Sequence, residues 1–124
     1  MSPHISPGQD LDLSFLYEIA DGSNEFIIES IDMFLEHTPE MLQMITTGIA
    51  SQDWVTAAGA AHKLKPNCGF FGMPETQAKI QEVEMLAKSG SPDADLIASK
   101  FAEINATISA NVITLQKIKA DLEG

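Results

Sequence analysis

Apolar residues recur three and four positions apart along most of the chain, and no segment alternates apolar and polar residues in the sustained way of a strand. This spacing places apolar side chains on one face of a helix. Stretches of this kind are separated by short segments that contain Gly, Pro, Ser or Asp. We therefore predict an all-α protein.

The second stretch, which follows Ser23, keeps its apolar positions in phase across Pro39. We predict a single helix with a kink at the proline. The alternative is a new helix that Thr38 caps, with Pro39 in its first turn. The third stretch spans residues 53–71.

The fourth stretch begins at Pro74, and the fifth at Ser91-Pro92, where a capping serine precedes a proline at the first helical position. Four long amphipathic helices with short connections bury their apolar faces most simply as an antiparallel up-down four-helix bundle. The short first stretch, from Leu11 to Asp21-Gly22, would be an extra N-terminal helix at one end.

Residues 1–9 contain two prolines and a glycine and show no helical spacing. We predict that they form a flexible N-terminal arm ahead of one bundle domain over residues 10–124. The chain of 124 residues is long enough for a single hydrophobic core.

The charge balance excludes several classes of function. All 7 basic residues are lysines. The chain has 18 Asp plus Glu residues, so its formal net charge is −11. Nucleic acids and anionic membrane surfaces bind basic faces, so we expect neither as a partner. The chain shows no apolar run of about 20 residues and no signal-peptide pattern, and Cys68 has no second cysteine to pair with. We expect a cytoplasmic protein.

His62 has the most distinctive surroundings in the chain. With about 100° per residue, it lies at the edge of the core face of the third helix, so we expect a partly exposed side chain. Small residues lie one and two turns away on the same face, namely Ala58, Gly59 and Gly69. Two interpretations stay open. The small residues allow close helix packing, or they clear a surface on which another protein approaches His62.

Lys65 and Pro66 lie one turn beyond His62. A neutral imidazole is a nucleophile near pH 7, and an ammonium nearby would stabilise a phosphoryl group on the ring. The alternative is that Lys65 is an ordinary surface lysine. Pro66 has no N–H for the His62 carbonyl, which predicts a local kink or a water at that carbonyl. Otherwise, the helix ends near Lys65 and restarts.

The segment Ala61-His62-Lys63-Leu64-Lys65, followed by Gly72, resembles the signature of histidine-containing phosphotransfer (HPt) domains. That signature has an alanine, the histidine, a leucine two positions on, a lysine three on and a glycine ten on. Four further segments also resemble elements of this family and occur in the same order as in the family. They are residues 27–34, 51–54, 83–84 and 87–90. The resemblance covers residues 11–90.

The resemblance implies a phosphorelay carrier that accepts a phosphoryl group from a receiver-domain aspartate and passes it to another receiver. His62 would be the phospho-acceptor at Nε2, and Lys65 would stabilise the phosphoryl group. Lys63 would assist docking. The residues around the histidine that we expect at the docking surface are Ala58, Gly59, Pro66 and Gly69.

The same resemblance implies that the chain is not an enzyme with its own nucleotide site. It implies no cofactor and no metal in this chain, with Mg²⁺ supplied by the receiver. The expected partners are response-regulator receiver domains or a hybrid sensor histidine kinase, and we expect a monomer.

The residues alone leave two other classes of function to be considered, a binding adaptor and an enzyme. A helical adaptor, or pseudo-HPt protein, would bind a receiver or kinase without becoming phosphorylated, but the intact His62 and Lys65 favour the carrier. A metal hydrolase would need inward-facing carboxylate and histidine pairs, which the sequence lacks. A Cys–His nucleophile is also disfavoured, because His62 and Cys68 point about 120° apart on one helix.

Overall fold

The computed structural model describes residues 4–6 and 8–124. These residues form no β-strand, and the only extended pairing among them is an isolated antiparallel bridge between Ile5 and Asp12. The prediction of an all-α protein is confirmed. The helices are α1 (Ser14–Ala20), α2 (Asn24–Ala50), α3 (Trp54–Phe70), α4 (Pro74–Ala87) and α5 (Ala94–Glu123).

The four long helices pack around one core. Helix α2 contacts α3 and α5, and α4 contacts the same two helices, which is the neighbour pattern of an up-down bundle. Helix α1 packs on α2. Within the described residues, no helix is long and apolar enough to cross a membrane. The core contains Ile27, Ile31 and Ile45 of α2, Leu64 of α3, Ile80 of α4, and Ile97, Ile104 and Ile108 of α5.

Helix α2 continues through Pro39, so the prediction of a single helix is confirmed. Its start is capped by Ser23, whose hydroxyl oxygen accepts a hydrogen bond from the N–H of Phe26 at 3.1 Å. Near its end, a Cβ atom on Gly48 would lie 3.0 Å from the backbone nitrogen of Ala57. The glycine therefore allows α2 and α3 to approach closely at their connection.

The residue that caps the N-terminus of α5 differs from the predicted one. The carboxylate of Asp93, not Ser91, accepts a hydrogen bond from the N–H of Leu96 at 3.1 Å, and the helix begins at Ala94. Pro92 therefore precedes the cap and does not occupy the first helical position. Aspartate caps as well as serine does, and its charge also interacts favourably with the helix dipole.

Helix α1 begins later than the predicted stretch. The helix begins at Ser14, whose N–H donates to the carboxylate of Asp12 at 3.0 Å, and Leu11 precedes the helix. The spacing of this stretch predicts an apolar face of Leu11, Phe15, Leu16 and Ile19. That face is partly wrong, because Phe15 and Ile19 are 52% and 45% exposed. The side chains of this region that enter the core are Leu11, Leu13, Leu16 and Ala20.

The described residues of the expected arm contact the bundle. The N–H of Leu13 donates to the carbonyl of His4 at 2.9 Å. The Gln9 amide donates to the side chain of Asn111 in α5 at 3.1 Å, and Asn111 donates to the carbonyl of Asp10 at 3.0 Å. Asn111 is completely buried, so these bonds satisfy a polar group inside the core. Residues 1–3 and 7 of the predicted flexible arm, which covers residues 1–9, lie outside the described residues.

The connection between α3 and α4 is held by the segment before α1. The carboxylate of Asp10 accepts hydrogen bonds from the N–H and the hydroxyl of Thr76, at 2.7 and 2.8 Å. The N–H of Asp12 donates to the carbonyl of Gly72 at 3.0 Å. Gly72 has a φ of 66°, and a Cβ atom there would lie 1.9 Å from the carbonyl oxygen of Asp12. This packing sets the relative position of the two helices that carry the site.

Candidate functional site

His62 lies on the outer edge of α3. Its side chain is 67% exposed, whereas Ala61 and Leu64 beside it are completely buried. The prediction of a partly exposed histidine at the edge of the core face is confirmed. The imidazole is therefore accessible to another protein.

A glutamate on the facing helix contacts the imidazole. Nδ1 of His62 lies 3.0 Å from Oε2 of Glu84 in α4. The Nζ atom of Lys65 donates to Oε1 of the same carboxylate at 2.7 Å, and Nζ of Lys88 donates to Oε2 at 2.8 Å. Lys65 also donates to the side-chain oxygen of Gln81. The structure thus places His62 and Lys65 on one shared carboxylate.

These contacts keep Glu84 ionised although its side chain is only 6% exposed. Hydrogen bonds from Lys65 and then Lys88 lower the pKa of Glu84 to about 2, against burial, which raises it. His62 contributes a smaller lowering of the same pKa. An ionised carboxylate only accepts hydrogen bonds, so Nδ1 of His62 carries the proton. In the neutral ring, Nε2 then keeps its lone pair and is the nucleophilic atom.

Sequence reasoning assigned no role to Glu84, although a signal was present. Glu84 lies four residues after Ile80 and directly after Val83, in phase with the buried face of α4. A charged residue in such a position is almost always paired. Its partner His62 is 22 positions away in the sequence, on another helix. Local spacing identifies the unusual acid but not the group that it binds.

The predicted docking residues divide into two sets. Gly59, Lys63, Pro66 and Gly69 are exposed on α3 near His62. Ala58 does not belong with them, because it is only 3% exposed. Its position on α3 falls within the core face, so its side chain contributes to packing. It borders a shallow groove on the protein surface, lined by Trp54, Val55, Gly59, Ala87 and Lys88.

The two exposed glycines separate the interpretations that the sequence left open. A Cβ atom on Gly59 would meet nothing within 4 Å, so this position is open surface. A Cβ atom on Gly69 would lie 2.7 Å from Nε2 of Gln77, which donates to the carbonyl of Lys65 at 3.2 Å. Gly69 therefore allows α4 to pack closely on α3, whereas Gly59 leaves space for a partner.

Pro66 lies inside α3, and the helix is continuous from Trp54 to Phe70. The alternative in which the helix ends near Lys65 and restarts is therefore wrong. Proline has no N–H, so the carbonyl of His62 lacks its usual partner within the helix.

Sequence reasoning also missed an apolar groove between α2 and α3. Met33, at its rim, is 60% exposed. Asn67 is the groove residue nearest in sequence to His62, five positions or about 7.5 Å along the axis of α3. The groove is lined by Ser30, Met33, Phe34, His37, Asn67, Phe70 and Phe71.

The remaining chemical groups add no second centre to this site. Burial, with a smaller effect of the Asp10 charge, raises the pKa of Cys68 to about 12, so its thiol is not a nucleophile near neutral pH. Among residues 4–6 and 8–124, no group of three His, Cys, Asp or Glu side chains is arranged to hold a metal ion.

Fold and site together define a class of protein: a helical bundle that presents a nucleophilic histidine on its outer surface, beside lysines and a buried carboxylate. A family model for the Hpt domain matches residues 29–119, which include His62, Lys65 and Glu84. The chain belongs to the Hpt domain family, and the resemblance found in the sequence is confirmed.

Curated relatives carry this domain within much longer chains. The Signal transduction histidine-protein kinase BarA of Shigella flexneri is 25% identical over 92 residues, which are 74% of this chain and 10% of that kinase. The protein of the same name from Escherichia coli (strain K12) is 24% identical over 92 residues, which are again 74% of this chain and 10% of that kinase. The chain therefore spans about a tenth of the length of these relatives.

A solved structure shows the same fold. The crystal structure of the HPT domain from the Hpt sensor hybrid histidine kinase of Shewanella superposes with a TM-score of 0.77 at 22% sequence identity. The match covers 93% of this chain and 97% of that chain. The predicted helical bundle with its extra N-terminal helix is thus a known arrangement.

Proposed function

We propose that this chain is a phosphoryl carrier of a multistep phosphorelay, in which His62 accepts the group from a receiver-domain aspartate and passes it to another receiver. The contact between Nδ1 of His62 and the ionised Glu84 carries the proposal, because it leaves Nε2 as the nucleophile on an exposed ring. Membership in the Hpt family and similarity to histidine kinases support it.

In this mechanism, the lone pair of Nε2 attacks the phosphorus of the aspartyl phosphate. The Nε2–P bond forms, the P–O bond to the aspartate breaks, and the electron pair leaves with the carboxylate. The chain itself supplies position and charge. Lys65 is close enough to His62 to share Glu84 with it, so its ammonium would stabilise the negative charge of the phosphoryl group.

The surface around His62 suits a receiver domain. Gly59 leaves open space one turn before the ring, and Lys63 and Pro66 are exposed on the same helix. The lysines near the ring, together with Lys88, form a basic cluster on a chain whose net charge is −11. The phosphorylated centre of a receiver is acidic, so charge complementarity would favour this orientation.

The proposed partners are response-regulator receiver domains, or the receiver of a hybrid histidine kinase, and Mg²⁺ would be bound there. The proposed form in solution is a monomer, because an exposed docking face on α3 requires only one copy. The cytoplasm is the proposed compartment, in line with the unpaired Cys68.

Phosphoryl transfer from a pre-phosphorylated receiver in the presence of Mg²⁺, followed by intact mass, tests this function. We expect the addition of one phosphoryl group that is stable to alkali and labile to acid, and that is absent from His62→Gln. His4→Gln is a matched control, because His4 stacks on Tyr17 in the N-terminal segment. Acceptance by His62→Gln would contradict the assignment.

A helical adaptor without phosphoryl transfer is the alternative function. It predicts binding of a phosphorylated receiver to the wild-type chain with no gain of mass, and unchanged binding to His62→Gln. Measuring binding and mass on the same samples therefore separates the two functions.

A further inference from the structure

We propose that the interior of the bundle binds one water molecule at Thr38, between α2, α3 and α5. The site is separate from His62 and does not depend on phosphoryl transfer. A buried hydroxyl carries the proposal. The Thr38 side chain is completely buried, and in the described part of the chain its Oγ1 is the one buried side-chain polar atom that makes no hydrogen bond.

Such a hydroxyl destabilises a fold, because it gives up its hydrogen bonds to water when the chain folds. About nine in ten or more of the buried polar groups in proteins are therefore paired, either with protein or with an ordered water. Two other buried side chains of this core follow that rule. The Thr76 hydroxyl donates to Asp10 at 2.8 Å, and the Asn111 side chain bonds to Gln9 at 3.1 Å. Thr38 differs from them and requires a partner.

The residue after Thr38 leaves a second polar group unpaired in the same turn. Pro39 lies inside α2 and has no N–H, so the carbonyl of Leu35, four residues earlier, lacks its usual partner within the helix. Leu35 is three residues before Thr38, and positions three apart are neighbours on a helix. A hydroxyl and a carbonyl thus lie close together at a turn that the proline ring prevents from closing in the regular way.

Helix α3 adds a polar group at the same level. Phe34 of α2 contacts Phe71 at the end of α3, with ring centroids 4.7 Å apart. The two helices are antiparallel, so a count of four residues along each of them places Thr38 level with Asn67. The next residue is Cys68, which is completely buried. Its thiol is a weak donor and acceptor on the core side of α3.

Helix α5 adds a stronger one. The ion pair between Asp32 of α2 and Lys119 of α5 fixes the register of these antiparallel helices, and a count of six residues places Thr38 level with residue 113. Asn111 is two residues away and is completely buried. One N–H of its amide donates to the carbonyl of Asp10 at 3.0 Å, and the second N–H has capacity for another acceptor.

The chemistry of these groups selects water as the ligand. An internal water needs two to four polar partners, which the Thr38 hydroxyl and the Leu35 carbonyl supply from α2 and the Asn111 amide from α5. None of these groups is charged, and burial keeps the Cys68 thiol protonated by raising its pKa to about 12. An ion would therefore remain without a counter-charge inside the core. A neutral molecule that both donates and accepts hydrogen bonds meets the requirement.

The test replaces Thr38 by valine in the full chain, which removes the hydroxyl and retains the shape of the side chain. Because hydrogen bonds to the water are lost, Thr38→Val should lower the urea midpoint by about 0.5 M. Oxygen-17 relaxation dispersion counts long-lived internal waters in solution, and this count should fall by one. An unchanged or higher midpoint would identify a dry, unpaired hydroxyl and overturn the proposal, as would an unchanged count.

Thr46→Val is the matched control on the same helix. The Thr46 hydroxyl is exposed and donates to the carbonyl of Leu42 at 2.9 Å, so it has a partner within α2. The count of internal waters should therefore stay at the wild-type value. A loss of one water in Thr46→Val as well would show that the measurement does not report on Thr38, and the proposal would lose its support in solution.

A high-resolution crystal structure of the wild-type chain tests the proposal even if Thr38→Val does not fold. We expect an ordered water within about 2.7 to 3.2 Å of both Oγ1 of Thr38 and the carbonyl oxygen of Leu35. A hydroxyl that donates directly to a carbonyl of α2, with no water beside it, would overturn the proposal whatever the stability of the variant.

Discussion

Lys65 and Glu84 form an ion pair across the contact between α3 and α4, with Nζ 2.7 Å from Oε1. The lysine side chain is 22% exposed and the glutamate 6%, so the pair is largely shielded from solvent. Since the same carboxylate also binds His62, one acidic group links the imidazole to the cation beside it. Several measurable properties depend on this arrangement.

Lys65→Ala should slow phosphoryl acceptance by about tenfold to a hundredfold and shorten the lifetime of the phosphohistidine, because the ammonium that would stabilise the transferred charge is lost. Intact mass against time measures both quantities. Lys100→Ala is the control, since Lys100 forms a comparable ion pair with Glu82 outside the site. An unchanged rate and lifetime would show that Lys65 serves only to hold Glu84.

Glu84 should make the chain less stable in acid. Its pKa is about 2 in the folded chain against an ordinary value of 4.5, so its contribution is complete above about pH 5 and is lost as the pH falls through 4.5 toward 2. A depression of this size corresponds to about 3 kcal/mol of the free energy of unfolding.

Urea unfolding at pH 7 and pH 3 measures this contribution. The loss of stability between the two pH values should be smaller in Glu84→Gln than in the wild type. Glu82→Gln should retain the wild-type loss, because its exposed ion pair with Lys100 contributes little. The same loss in all three chains would show that Glu84 is not held ionised by its neighbours.

Pro66→Ala should raise the free energy of unfolding by about 1 to 3 kcal/mol, because it restores a backbone hydrogen bond to His62 and removes a ring from the interior of α3. Amide exchange at residues 62–66 should slow. Pro74→Ala is the control, since Pro74 occupies the first turn of α4, where no such hydrogen bond is lost. Equal effects of the two substitutions would argue against a local distortion at Pro66.

Gly59→Ala should stabilise the chain by about 0.5 to 1 kcal/mol, because the added methyl group meets nothing within 4 Å and alanine is the better helix former. The larger Gly59→Leu should slow transfer from a receiver at least tenfold without changing chemical phosphorylation by phosphoramidate. Val55→Ala, one turn earlier on the exposed surface, is a truncation control for the same face. Normal transfer to Gly59→Leu would place the docking surface elsewhere.

The local spacing of apolar residues predicts the helices, but it does not predict all of their ends. The apolar positions of α2 correctly predicted one helix through Pro39, because they remain in phase across the proline. At α5, both Ser91 and Asp93 satisfy the chemistry of a cap, and the structure shows that Asp93 performs it. Asn111 occupies a core position of α5 because residues before α1 fold back and bond to it. That contact joins segments about 100 residues apart, beyond any local pattern.

The sequence by itself determined the helical class, the exposed edge position of His62 and the presence of Lys65 one turn away, because all three depend on spacing within a few turns of one helix. Only the tertiary structure decided that Glu84 binds both residues, that Gly69 packs against Gln77 and that Gly59 faces open space. These facts depend on how α4 lies against α3. That arrangement comes from the burial of apolar faces and from the turn at Gly72, neither of which can be read from residues 61–65 alone.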